Sequence, residues 1–149
     1  LVAREAGVPV SGVRIGVVLG PDGGALKRML LPFKLGLGGP LGNGRQSFPW
    51  IHVQDLARLI EFIAQNDDRA GIYNGVAPGC VDQRSFARAL GRALGRPAWL
   101  PAPAFALRLL LGERSTLLLT GQQAQPTAAL AAGFAFEYPL IDEALAEVR

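Results

Sequence analysis

A chain of 149 residues that is 50% hydrophobic and only 18% charged can build one domain with its own core, and is too apolar for a disordered tail. Its 15 Lys and Arg against 12 Asp and Glu leave a net charge of +3, too mild and too dispersed to mark a nucleic-acid binder. The single cysteine, Cys80, cannot form an internal disulfide or a cysteine metal cluster, so a reducing, cytoplasmic setting is expected.

No apolar run approaches the roughly 20 residues that a membrane span needs. The nearest, Trp99 to Leu111, is broken by Pro101, Pro103 and Arg108. The chain opens on Leu1, and Leu1 to Gly7 reads as the tail of a helix closed by glycine, with no signal-peptide pattern. A chain that begins inside a larger protein is therefore expected.

Val10 to Leu19 is almost wholly apolar and bounded by Pro9 and Gly20-Pro21, which predicts a buried strand of a parallel sheet. Asp22-Gly23-Gly24 reads as a turn. Ala25 to Leu35 repeats apolar residues at Leu26, Met29, Leu30 and Phe33, a helical period that Pro32 should bend. Gly36 to Gly44 carries five glycines and reads as a loop or short hairpin. Phe48 to Val53 predicts a short strand, after which Asp55 should cap a helix with Leu56, Leu59, Ile60 and Ile63 on one face.

Ile72-Tyr73-Asn74 predicts another strand, and Asp82 to Leu94 a helix stopped by Gly95-Arg96-Pro97. Beyond it, 104–111 and 116–120 look helical, and Pro126 should open a helix that Gly133 closes. Phe134 to Tyr138 predicts a final strand and Ile141 to Val148 a final helix. Strand–helix alternation passing into helices implies an α/β start followed by a mostly helical lobe.

The motifs that could carry chemistry each have a plainer reading. Gly36-Leu37-Gly38-Gly39-Pro40-Leu41-Gly42 resembles a nucleotide loop, but it follows a helix and opens none, so a loop is expected. His52, the only histidine, lies three residues before Asp55; packing outweighs general-base chemistry for the histidine, and capping outweighs it for the aspartate. Arg84, Arg88, Arg92 and Arg96 recur every four residues, more as the solvated side of an amphipathic helix than as a phosphate grip. Cys80 has no basic neighbour in sequence to activate it.

Taken in order, three blocks resemble the second half of the extended short-chain dehydrogenase/reductase family. They are Val13 to Pro21, Gly42 to Asp55, and Gly71 to Gly75. The tail from Leu100 to Pro103 and on through Phe134 to Pro139 resembles the C-terminal domain of unknown function found in an NAD-dependent epimerase/dehydratase-like branch. The resemblance implies a doubly wound, Rossmann-like sheet plus a small, mostly helical lobe, divided here into 1–95 and 96–149.

It also implies an NAD or NADP cofactor, approached by Ile15, Gly16 and Val17, and a small-molecule substrate lined by Gly20, Pro21, Arg45, Gln46 and Trp50. Neither a nucleic acid nor a membrane is an implied partner, and a homodimer is possible for the full-length protein. The family's proton-transfer pair, Tyr-x-x-x-Lys, is missing from this chain: Ala77 and Asp142 follow Tyr73 and Tyr138 at that spacing. The sugar-nucleotide epimerases of the family carry Arg-Asp just before the aromatic-Ile-His-Val segment, where this chain has Phe48-Pro49. The expectation is therefore the C-terminal portion of an NAD(P)-dependent epimerase or oxidoreductase, inactive alone. The alternative is a non-catalytic binding module that survives as a truncated remnant.

Overall fold

The computed structural model describes residues 5–21, 24–65, 67–101 and 123–146. The helices expected at 104–111 and 116–120, most of the turn expected at 22–24, and the last residues of the final helix lie outside them.

The first apolar run is two strands, β1 (Gly12–Ile15) and β2 (Val17–Leu19), and it changes partner at Gly16. β1 pairs in parallel with β5 (Ile72–Gly75), and β2 pairs in parallel with β4 (Trp50–His52). The exchange takes one residue: Gly16 N–H donates to the Gly75 carbonyl at 3.1 Å, and Val17 N–H donates to the Pro49 carbonyl at 2.8 Å. A Cβ on Gly16 would stand 2.7 Å from the Pro49 oxygen and 2.9 Å from Val76 Cγ1, so only glycine admits this approach.

The expectation of a buried strand holds only for the end of β2, where Leu19 is fully buried. Gly12, Arg14 and Ile15 of β1 are exposed, because among the described residues β1 has one neighbouring strand instead of two.

Phe48 to Val53 is likewise divided. Pro49 lacks an N–H and separates β3 (Ser47–Phe48) from β4; β3 turns to pair antiparallel with β6 (Val81–Asp82). Helix α1 (Gly24–Lys34) contains Pro32 and ends before Gly36, whose φ of +74° is the left-handed conformation of a helix end. Helix α2 (Val53–Ala64) begins earlier than expected. Its cap is His52, whose Nδ1 accepts from Gln54 N–H at 3.4 Å, so Asp55 is a first-turn residue and not the cap.

Helix α3 (Gln83–Ala93) lies where a helix was expected, with Asp82 as its cap, and buries Phe86, Ala87 and Leu90 while Arg84, Arg88 and Arg92, and Arg96 beyond its end, stay exposed. Helix α4 (Thr127–Ala131) follows Pro126, with Gly133 at φ +85° beyond its end, and α5 (Ile141–Ala146) closes the described chain.

The C-terminal helices complete two hydrophobic clusters. Ile141, Ala144 and Leu145 of α5 join Leu19, Trp50, Phe86 and Leu90 in the larger one, with α5 packed on α3. Ala129 of α4 and Phe134 join Leu59, Ile63 and Tyr73 in the smaller. The final strand expected at Phe134 to Tyr138 is absent. The N–H groups of Glu137 and Tyr138 donate instead to the Asp55 carboxylate, at 2.8 and 2.9 Å, so a side chain takes the place of a strand partner.

Candidate functional site

Ligands of α/β sheets lie beyond the carboxyl ends of the parallel strands, where the chain leaves the sheet. Here β2 leaves through Gly20-Pro21 and β4 leaves directly into α2. The two exits touch: a Cβ on Gly20 would come within 2.9 Å of Val53 Cγ1, so glycine is what lets the chain turn there. Beyond Pro21 lies an open groove of about 510 Å³ lined by Pro21, Lys27, Leu30, Leu31 and Lys34. The four α1 residues fall at i, i+3, i+4 and i+7, one stripe of a helix. Among the described residues neither ammonium has an ion-pair or hydrogen-bond partner.

The residues expected at the site fall in two places. Val17 pairs in register with Trp50, and Ile15 with Gly75, so Ile15, Gly16, Val17, Gly20, Pro21 and Trp50 belong to one strand system. Ile15 is 54% exposed, and Trp50 is 1% exposed. The Trp50 indole N–H donates to the Gly79 carbonyl at 3.0 Å and its own carbonyl accepts from Ala77 at 2.6 Å, which sets the ring inside the core.

Arg45 and Gln46 sit instead on a loop fastened to the start of α3. Gln83 and Arg84 donate backbone N–H bonds to Gln46 and Gly44, at 2.9 and 3.0 Å. The buried Gln83 side chain accepts from Leu41 N–H at 2.7 Å, and Gln46 Nε2 donates to the Leu41 carbonyl at 3.1 Å. The Arg45 side chain is exposed. Sequence reasoning did not single out Lys27 and Lys34; the signal was there as two lysines seven residues apart on a helix that already presents leucines.

The other candidates resolve into structure. His52 is 1% exposed and lies with its ring centroid 3.9 Å from that of Tyr138. Asp55, fully buried, also receives Arg58 Nη1 at 3.0 Å, and Arg58 reaches on to Glu137 at 3.4 Å. Two glycines of the 36–42 loop serve close packing: a Cβ on Gly38 would strike the Phe33 ring, and one on Gly39 the Leu100 backbone. Cys80 Sγ lies 3.3 Å from Ser47 Oγ. The Asp82 carboxyl is held below its ordinary range, first by hydrogen bonds from the Ser85 side chain and backbone N–H, and further by the nearby charges of Arg84 and Arg88. Among the described residues no group of three or more His, Cys, Asp or Glu is placed to hold a metal ion, and no helix is long and apolar enough to cross a membrane.

Residues 1–75, half of the chain, match the NAD dependent epimerase/dehydratase family, and residues 102–148 match a domain of unknown function, DUF1731. The chain belongs to the NAD dependent epimerase/dehydratase family. The mouse member named epimerase family protein SDR39U1 is 50% identical over 137 residues, covering 91% of this chain and 47% of its own length. The epimerase family protein YfhF of Bacillus subtilis (strain 168) is 43% identical over 135 residues, covering 91% of this chain and 44% of its own. The chain thus spans about half the length of these relatives.

Among solved structures of the family, human epimerase family protein SDR39U1 with NADPH superposes with a TM-score of 0.91 at 44% identity, over 95% of this chain and 48% of that one. The Thermus thermophilus UDP-glucose 4-epimerase in complex with NAD gives a TM-score of 0.71 at 19% identity, over 98% and 47%, a likeness of fold. The epimerase/dehydratase fold is therefore the Rossmann-like α/β architecture expected. Where sugar-nucleotide epimerases were expected to carry Arg-Asp, this family member uses Phe48-Pro49 for packing. Phe48 stacks on Phe86 with centroids 4.0 Å apart, and the Pro49 carbonyl receives Val17.

Proposed function

We propose that this chain forms the substrate-side part of an NAD(P)-dependent epimerase/dehydratase-type oxidoreductase that acts on a small molecule. The observation that carries the reading is its superposition, at 44% identity and over 95% of its length, on a family member solved with NADPH. The chain's own geometry fits such a cofactor at one point. Ile15, an exposed isoleucine at the carboxyl end of a parallel strand, offers an apolar wall suited to one face of a planar ring, with Gly16 and Val17 continuing the strand behind it. When bound, the nicotinamide supplies hydride transfer. Gly20 and Pro21 then form the edge of the substrate space, Trp50 holds the strand under them, and Arg45 reaches toward solvent from its braced loop.

The proton-transfer groups come from elsewhere in the native protein, because both tyrosines here are committed to the fold. Tyr73 Oη donates to the Arg69 carbonyl at 2.7 Å, and Tyr138 Oη bonds Gln54 Oε1 at 3.2 Å. We place the working division of the chain near residue 95 and its setting in the cytosol, although a relative from Arabidopsis thaliana is named as chloroplastic.

The test is a fluorescence titration of the native protein with NADPH and NADH. Saturable binding at a Kd on the order of micromolar is expected. Ile15→Asp should weaken it by about ten-fold through loss of an apolar contact, while leaving the melting temperature unchanged because Ile15 is exposed. Absence of saturable binding to either nucleotide overturns the reading.

A further inference from the structure

The groove beside Pro21 has a chemistry of its own. Among the described residues its lining is two lysines, two leucines and a proline, and the only polar side-chain atoms these offer are the two lysine nitrogens. Seven residues along a helix separate Lys27 from Lys34 by about 10 Å of axial rise. Leu30 and Leu31 fill the interval, and Leu31 is 65% exposed although the rest of α1 buries Leu26 and Phe33 completely or nearly so. A positive charge at each end of an apolar strip, with no carboxylate among the described residues to neutralise either, is a surface complementary to an anion that also carries an apolar body.

We propose that the Lys27–Lys34 face of α1 is the substrate platform, and that it takes an anionic small molecule with an apolar chain or ring, held by its charge at a lysine and by its body over Leu30 and Leu31. The proposal rests on the oxidoreductase reading above for the word substrate, and on the groove alone for the class of ligand. One observation sets the groove at a working position: it adjoins Pro21, just after the carboxyl end of β2, where α/β sheets bind ligands. A sugar nucleotide suits the groove poorly, because its hydroxyls would meet leucine and proline, and unpaired polar groups cost affinity.

The experiment uses the native protein, with and without saturating NADPH, and follows the heat of binding of three probes: octanoate, octanol and UDP-glucose. Octanoate should bind at least about ten-fold more tightly than octanol, the difference being the charge contact. Lys27→Gln with Lys34→Gln should abolish that preference without changing the melting temperature, since both side chains are exposed. Leu31→Asn should weaken octanoate and octanol together. Equal binding of octanoate and octanol, no binding of either, an octanoate affinity unchanged by the double lysine variant, or tighter binding of UDP-glucose than octanoate would each overturn the proposal. NADPH binding is read in the same titrations. Its failure alongside lysine-dependent octanoate binding removes the oxidoreductase reading and with it the name substrate, while the anion-binding face stands; its success alongside loss of the octanoate preference does the reverse.

Discussion

At the scale of single residues, the chain spends its buried polar groups on joining distant segments. Asp55 accepts two backbone N–H bonds from residues more than 80 positions away, plus one from Arg58, while fully buried. Removing the carboxylate leaves two N–H donors without acceptors in a site shielded from water. Asp55→Ala should therefore cost about 3 kcal/mol, read as a lowered urea midpoint with an unchanged slope. A loss below about 0.5 kcal/mol, the level of an ordinary surface change, would show that the clip contributes nothing.

Gly16 makes an opposite demand, for the absence of atoms. A methyl group there meets a backbone carbonyl at 2.7 Å, which cannot yield as a side-chain tip could. Gly16→Ala should destabilise by about 2 kcal/mol, the usual cost of overpacking. A variant as stable as the parent would mean that the strands part freely at that point. The sequence showed a glycine inside an apolar run but not what it faced, because Pro49 and Val76 approach it only in three dimensions.

At the scale of elements, the helix at α3 was legible from local residues, and its cap is local too: Ser85 N–H lies 2.7 Å from Asp82 Oδ1 within one turn. The cap also has a pH signature. The folded carboxyl is held below its ordinary range, so its contribution is complete above the ordinary carboxylate pKa and is lost as pH falls through the depressed folded value. Asp82→Ala should cost about 1 kcal/mol at neutral pH, and the gap between parent and variant should close in strongly acid buffer. Urea unfolding of both proteins across that range measures it; a gap constant with pH would remove the carboxylate from the account.

Where the partner was remote, the sequence misled. Phe134 to Tyr138 alternates like a strand, yet its amides meet a carboxylate and not a ladder. Phe48 to Val53 reads as one short strand, but Pro49 splits it between two different neighbours. On α1 the helical period was legible from Leu26, Met29, Leu30 and Phe33. The second stripe, Lys27 to Lys34, gained meaning only once Pro21 was seen beside it.

At the scale of the whole molecule, the described surface carries apolar groups in an unusual place for a sheet. Val8, Ile15, Ile60 and Ile72 are each about half exposed, and a cavity of about 290 Å³ lined by Pro9, Ser11, Val13, Ile60, Ile63, Ala64 and Ala70 opens among the same elements. An open strand edge beside exposed isoleucines favours association. The 149-residue chain prepared alone should therefore self-associate, and its light-scattering mass should rise with concentration. A monodisperse chain with a sharp, concentration-independent melt would count against this.

The amino-acid sequence by itself determined the α/β class, the order of most elements, the solvated arginine face of α3 and the family, because each depends on residues close together in the chain or on the order of blocks along it. Only the tertiary structure decided which glycines are steric necessities, that Asp55 ties the C-terminal segment to α2, that Trp50 is core, and that Lys27 and Lys34 flank a groove beside Pro21. Those facts are contacts between segments far apart in sequence, and periodicity says which face of an element is apolar but not what that face will meet.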